Sequence, residues 1–362
     1  MAIESLSEAQ RTAWKDRALP PVEQVAEGMW AIPVPIPDNP LVYTYCYAIA
    51  EDTGVVLIDP GWDGPEQMQA LTDGLVGIGF TIADIRGVAI THYHRDHIGL
   101  VPYLLRENPD MWLAMHAHDL DTLEGFRSGR TQFRTGTQEG VDVATEYGVP
   151  DDRRHEVMSP PRAAGAPNRR SSFAQVQLPD RLVVLGEGET LPVNGREVLS
   201  MWTPGHTYGH SAFRVPDASA FVSGDHVLPT ITPNIGLDAP RITKSLGDYL
   251  SSLDRMDHLS PEVLVLPAHG FRFSGLHDRT AELKAHHAER LKEIEDTWES
   301  TDDHSVYSIA QGLHWSRGFD QLSDFNLFAA LAETAAHMHY LGLPVGAQGA
   351  GTNGGAEGAR IA

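Results

Sequence analysis

Thr91-His92-Tyr93-His94-Arg95-Asp96-His97, entered directly from the apolar run Gly87-Val88-Ala89-Ile90, is the stretch from which the fold can be worked out. Three imidazoles and one carboxylate within six residues suit neither a hydrophobic core nor an indifferent surface loop. Each is a metal ligand in its neutral (His) or ionised (Asp) form. The short apolar run reads as a strand that delivers these groups to its carboxyl end.

Further extended apolar runs also lead into a residue able to bind or support a metal. Val55–Ile58 leads into Asp59, Val198–Trp202 into His206, Ala220–Val222 into Asp225, and Val263–Leu266 into His269. Ligands bind at the carboxyl ends of strands in open α/β sheets, so these endings can converge on one edge of the fold. Turn formers in Thr203-Pro204-Gly205-His206, Ser223-Gly224-Asp225 and Pro267-Ala268-His269-Gly270 aim a side chain into a loop mouth instead of continuing the strand. His92 and His94 can point together at one metal, with His206 completing that site. Asp96 and His97, on the turning chain, face a second metal completed by His269, and Asp225 can bridge both with its two oxygens.

The surrounding pattern alternates strand and helix. Extended runs at Tyr43–Ile49 and Met111–Met115, with helical stretches at 66–76 and 99–106, predict a layered α/β domain. Runs at 181–185, 196–202 and 211–215 continue it, and a helix over 245–259 precedes the last strand. Residues 119–180 are less regular, and their Pro/Gly/Arg segment from Pro160 to Arg170 reads either as a lid or as a surface excursion. Arg127, Arg130, Arg134, Arg153, Arg154, Arg162, Arg169 and Arg170 suit planar anions, but the acidic residues among them point to an ordinary mixed surface. After Phe273 the character turns helical, with a charged amphipathic helix over 282–298 and an apolar one over 324–341. A Gly/Ala-rich tail over 345–362 reads as disordered, and its G-x-G-x-x-G at Gly349, Gly351 and Gly354 has no strand before it and no helix after it.

Composition narrows the function. The 362-residue chain has 41% hydrophobic residues and a formal charge of −22, which argues against nucleic acid and anionic membranes as partners. The single cysteine, Cys46, excludes intrachain disulfides and cysteine-based zinc fingers. No signal-peptide pattern and no long apolar run is present, so a cytoplasmic location is expected.

The string H-x-H-x-D-H, followed at long spacing by His, Asp and His, resembles the metallo-β-lactamase superfamily. The context strings Leu57-Ile58-Asp59-Pro60-Gly61, Thr203-Pro204-Gly205-His206-Thr207, Ser223-Gly224-Asp225-His226 and Pro267-Ala268-His269-Gly270 match as well, across approximately residues 25–275. The resemblance implies a four-layer αββα sandwich of two mixed sheets and a dinuclear centre, with zinc the expected metal and manganese or iron as alternatives. It implies His92, His94, Asp96, His97, His206, Asp225 and His269 as ligands, and Asp59 as a carboxylate that supports the ligand loop. His210 and His226 flank the ligands and are expected in supporting, packing or substrate-contacting roles. Many true β-lactamases have a cysteine where Asp225 stands; the Asp form is similar to hydroxyacylglutathione hydrolases, lactonases and lactamase-like endoribonucleases.

The expected domains are a catalytic one over 1–275, a helical and partly winged-helix-like one over 276–344, and the tail. The expected activity is hydrolysis of a small ester, thioester or lactone by a metal-bridging hydroxide, with Asp96 orienting it or taking its proton. The alternative is an endoribonuclease or phosphodiesterase acting on single-stranded RNA. A small-molecule substrate is expected, and a homodimer is compatible with the sequence. His116-Ala117-His118-Asp119 mimics the ligand spacing without distant partners and reads as a helix start and cavity wall; His286 and His287 read as surface residues.

Overall fold

The computed structural model describes residues 3–128, 143–158, 178–236 and 244–346. The chain divides into two compact units, one of residues 1–132 and 166–285 and the other of 133–165 and 286–362.

The first unit is built on two mixed sheets. Its strands in chain order are β1 (Glu4–Ser5), β2 (Glu23–Ala26), β3 (Met29–Pro35), β4 (Tyr43–Glu51), β5 (Gly54–Ile58), β6 (Ile85–Ala89), β7 (Trp112–His116), β8 (Leu182–Leu185), β9 (Leu199–Trp202), β10 (Ser211–Val215), β11 (Ala220–Gly224), β12 (Leu264–Pro267) and β13 (Phe273–Ser274). One sheet has the order β2-β3-β4-β5-β6-β7-β8 and the other β1-β13-β12-β11-β10-β9. β5 through β8 run parallel, as do β11 and β12, while β9 and β10 pair antiparallel. β9 therefore points the same way as β11, since two antiparallel steps separate them.

The strands read as apolar runs because both faces of their sheet are covered. Between the sheets lies a core containing Tyr43, Tyr45, Tyr47, Ile58, Phe213, Val222 and Leu266. Outside the first sheet, Ile32, Leu57, Val88 and Leu113 pack with Leu71, Leu75 and Leu104 of the helices α2 (Pro65–Gly77) and α4 (Val101–Glu107). α1 (Glu8–Asp16) is capped by Ser7, α3 (Arg95–Ile98) carries Asp96 and His97, and α5 (Ala117–Ser128) follows β7. On the other sheet's outer side, α7 (Ser245–Arg255) buries Leu246, Tyr249 and Leu253. This is the four-layer αββα arrangement that the family resemblance implies, and it refines the layered α/β domain read from the strand and helix alternation.

β3 was not legible as a strand because it contains Pro33 and Pro35, which cannot donate to a ladder. β2 pairs β3 only as far as Ala31, so these prolines lie beyond the paired stretch on that side. No helix among the described residues is long and apolar enough to cross a membrane.

The second unit takes in α6 (Arg154–Met158), the distal part of α8 (Leu276–Ser300), α9 (Val306–Gly312) and α10 (Asp324–Tyr340). Its core includes Tyr147, Ile294, Ile309, Leu327, Leu331 and Met338. Among its described residues no strand occurs. Residues 143–158 thus pack into this helical core, where the sequence reads only an irregular excursion. Arg153 is held there by Glu156 at 2.6 Å, Tyr307 Oη at 3.0 Å and the Leu322 carbonyl at 2.9 Å, while Arg127 and Arg154 pair with Glu124 and Asp151. Arg130, Arg134, Arg162, Arg169, Arg170 and the glycine motif of the tail lie outside the described residues.

One expectation is corrected here. His287 is fully buried and not a surface residue, because the α8 stripe His287, Arg290 and Ile294 faces the core of this unit. His286 is half-buried. A charged helix still has an inner face, and the helix's overall charge pointed this histidine to the wrong side of it.

Candidate metal centre

The carboxyl ends of β5, β6, β9, β11 and β12 deliver Asp59, the His92–His97 loop, His206, Asp225 and His269 to one edge of the sandwich. Glycines shape two of these turns. Gly205 has φ 144° and Gly224 φ 52°, and a Cβ on Gly224 would lie 2.7 Å from His210 Nε2 and 2.9 Å from Thr91 Cβ. Only glycine permits that backbone to pass so close.

Three clusters of ligand atoms result: His92, His94 and His206; His92, His97 and Asp225; and Asp96, His97 and His269. Hydrogen bonds on the far side of each ring orient it. His97 Nδ1 donates to Asp59 Oδ2 at 2.8 Å, His206 Nδ1 to the Asn234 carbonyl at 2.8 Å, and His269 Nδ1 to the Tyr43 carbonyl at 2.8 Å. The Thr91 hydroxyl donates to Asp59 Oδ2 at 2.7 Å, so it accepts from His92 Nδ1 at 3.0 Å. Each of these four rings therefore turns a bare Nε2 inward.

His94 joins them through Nδ1, 2.9 Å from His92 Nε2 and 3.0 Å from His206 Nε2. A single proton on His94 Nδ1 can serve only one of the two lone pairs. On the other side, His97 Nε2, His269 Nε2 and Asp225 Oδ1 are buried without hydrogen-bond geometry to any partner. Nitrogens and carboxylate oxygens gathered in this way fit divalent cations.

Asp225 sits between the clusters. Its Oδ2 is 3.4 Å from His206 Nε2 and 4.0 Å from His92 Nε2, and its Oδ1 is 3.3 Å from His269 Nε2 and 3.7 Å from His97 Nε2. Asp96 Oδ2 lies 3.3 Å from His269 Nε2 and 3.6 Å from His97 Nε2. His94 and Asp96 are partly exposed whereas His92, His97 and His269 are buried, so the centre opens on the side of Asp96.

The two sides differ electrically. Burial, then the neighbouring His206, pushes His94 down to about 3, and burial with the charges of His97 and His94 holds His92 well below its ordinary value. Burial also works against a charge on His97 and His269, but carboxylates outweigh it: Asp96, Asp59 and Asp225 hold His97 well above the usual range, and Asp225 and Asp96 lift His269 to about 10. Burial would raise Asp96 and Asp225, yet facing imidazoles hold both below the usual carboxylate range. One side thus offers neutral nitrogens, and the other draws in positive charge.

All seven residues expected as ligands come together, while Asp59 faces away from the inward nitrogens and grips Thr91 and His97. His210 is buried, with Nδ1 2.7 Å from the Thr203 hydroxyl and Nε2 accepting the Asp225 N–H at 3.2 Å, and so it sets the backbone of the central carboxylate. His226 is buried with its ring against Tyr249, 5.1 Å between centroids. His116 and His118 stay outside the cluster: His116 stacks on Trp202 at 5.3 Å and His118 lies 4.2 Å from Tyr208.

Other contributors were missed in the sequence. Tyr43, Tyr45 and Tyr47 share one face of β4 and bond through their hydroxyls to the carbonyls of Gly270, at 2.8 and 3.2 Å, and Pro267, at 2.7 Å, fixing the turn that bears His269. The period-two Tyr-x-Tyr-x-Tyr pattern is the signal that could have found them. Arg95 is clasped by Asp63 and lies 4.4 Å over the Trp62 ring. Asp119 links two ligand loops, and nothing local in the sequence announces it.

Comparison with known proteins agrees with this geometry. Residues 39–269 match the profile of the metallo-beta-lactamase superfamily. A Bacillus subtilis protein named "Probable metallo-hydrolase" is 25% identical over 327 residues, covering 87% of this chain and 92% of that protein. An atrochrysone carboxyl ACP thioesterase from Aspergillus novofumigatus is 24% identical over 273 residues, or 74% of this chain and 62% of the relative. The crystal structure of a metallo-beta-lactamase family protein from Thermus thermophilus superposes with a TM-score of 0.70 at 25% identity, covering 88% of this chain and 94% of the other. With the profile matched over well more than half its length and the site built from the residues the profile spans, this chain belongs to the metallo-beta-lactamase superfamily.

Proposed function

We propose that the protein is a dinuclear metal-dependent hydrolase of a small acyl compound, an ester, thioester or lactone. His92, His94 and His206 would hold one ion, Asp96, His97 and His269 the other, and Asp225 would offer one oxygen to each. The placement of Asp225 carries this reading, because its Oδ2 and Oδ1 lie 3.4 Å and 3.3 Å from histidines of opposite clusters.

When bound, a pair of divalent ions, expected to be zinc, lowers the pKa of water from about 15.7 towards about 7 and sets positive charge where an oxyanion develops. The protein's share is positional. Asp59, Asn234 and Tyr43 lock the imidazoles with their Nε2 atoms inward. Asp96, partly exposed at the open side, would orient an attacking water, and its low-lying carboxyl favours the ionised form that accepts a hydrogen bond from it. Similarity to the Aspergillus thioesterase supports acyl thioesters within the class, and a net charge of −22 disfavours RNA.

The test is metal analysis coupled to a screen of acyl thioesters, lactones and phosphodiesters on one preparation. Acyl hydrolysis should vanish after chelation and return with Zn²⁺ or Mn²⁺. Full activity without metal would sink the mechanism, and cleavage of phosphodiesters alone, weakening steeply with salt, would move the reading to a nuclease.

A further inference from the structure

Asp119 stands in the first turn of α5, just past the carboxyl end of β7, with 1% of its surface exposed. Its carboxylate takes no place in the ligand clusters. Oδ2 accepts the Tyr93 N–H at 3.0 Å and the Thr207 hydroxyl at 2.9 Å, while Oδ1 accepts the Gly209 N–H at 2.8 Å. Tyr93 lies between His92 and His94, and Thr207 follows His206. One buried charge therefore ties together the two loops that bear the three-histidine cluster.

The contact is close as well as polar. A Cβ on Gly209 would meet Asp119 Oδ1 at 2.4 Å and its Cγ at 2.5 Å, so the loop after His206 rests directly on the carboxylate. His97 is gripped by Asp59, and the turn of His269 by the tyrosines of β4.

We propose that Asp119 is a positioning residue for the three-histidine ion position, holding His92, His94 and His206 at their mutual spacing while leaving the Asp96, His97 and His269 position to other supports. The proposal rests on the two-ion reading above. Asn at this position keeps the shape but has one acceptor end. Its amide NH₂ must face either the Tyr93 and Thr207 donors or the Gly209 N–H, and one loop comes loose.

The experiment is a graded chelator challenge of the metal-loaded full chain, reading retained zinc by elemental analysis and, on cadmium-loaded protein, the two metal signals by NMR. Asp119→Asn and Gly209→Ala should each weaken one metal equivalent by about 10- to 100-fold, the range for removing a group that orients a ligand. The lost cadmium signal should be that of the all-imidazole position, and Tyr47→Phe, which releases the Pro267 carbonyl in the turn of His269, should disturb the other. Thr207→Val, which removes one donor and changes the shape little, should shift the same equivalent by less, and it keeps the test alive if the larger changes impair folding. Equal weakening of both equivalents, or no weakening in any of these variants, would overturn the role of Asp119. Wild-type protein that takes up no metal would sink the centre itself, and this proposal with it.

Discussion

Buried histidines meet one another in both units of this protein. In the first unit, His92 Nε2, His94 Nδ1 and His206 Nε2 point at one another across 2.9 and 3.0 Å, beside two further bare Nε2 atoms and a carboxylate with an orphaned oxygen. In the second unit His287, His337 and Glu333 form a line: His287 Nδ1 lies 3.0 Å from His337 Nε2, and His337 Nδ1 donates to the Glu333 carbonyl at 2.7 Å. One proton per link satisfies the two hydrogen bonds of the line, whereas in the convergent cluster one imidazole nitrogen, His94 Nδ1, faces two others at once. The difference teaches that neither burial nor number marks a ligand histidine. The mark is whether the far-side hydrogen bond leaves the inward nitrogen bare and aimed at its neighbours.

The contrast breaks most sharply at Asp225. Asp225→Ala should remove at least one metal and lower turnover by on the order of 10³-fold or more, because it withdraws an oxygen from both clusters at once. Elemental analysis beside kinetics checks this. Two retained metals at the wild-type rate would show that Asp225 bridges nothing.

Chelation should come next in size. Ions bound to the native chain alone stabilise it by about 4 kcal/mol at a thousand-fold excess over Kd, so their removal should lower the first unit's melting temperature by roughly 10 °C. Calorimetry with and without chelator measures it, and an unchanged melt would deny that the convergent nitrogens need a cation.

How far these clusters could be read from the sequence follows from the same contrast. The candidate ligands stand at or just past the ends of continuous apolar strands, and turn formers mark three of them, so local pattern points to the seven residues that the fold gathers. Their supports are tertiary. Tyr43 meets the turn of His269, and Asp119 meets Gly209, across separations of 227 and 90 residues, which no local period encodes. β3 was hidden by Pro33 and Pro35, whose tolerance depends on how short its neighbour β2 is. Residues 143–158 look irregular because their apolar partners, including Tyr307 and Leu331, lie far along the chain. His287 lies on a charged helix and is buried because the fold selects which face of that helix docks.

The linear cluster should behave as structure and not as chemistry. His287→Leu strands the His337 Nε2 acceptor and should cost about 1–3 kcal/mol of stability, with metal content and turnover unchanged. Loss of metal in that variant would erase the distinction between the clusters.

The smallest effect is a pH dependence of stability in the second unit. Burial lifts Glu333 to about 7 from 4.5, with Arg290 opposing, and burial lowers His337 to about 4 and His287 to about 2 from 6.5. Between pH 4.5 and 7 native Glu333 keeps a proton that the unfolded chain has released, so its contribution falls as pH rises. The histidines act oppositely: below 6.5 the unfolded chain takes up protons that the native pair refuses, and stability falls on acidification. From 4.5 to 6.5 two imidazoles outweigh one carboxyl, leaving a net loss of stability on acidification. From 6.5 to 7 Glu333 acts alone and the slope reverses, so the cluster stabilises most near pH 6.5. Denaturant midpoints of wild type and Glu333→Gln across this range test the sign. The variant should lose the reversal above 6.5 and fall more steeply below it. Identical profiles would mean that Glu333 is ionised in the native state, held by Arg290 Nε at 3.9 Å, and that the line carries a buried ion pair beside its histidines.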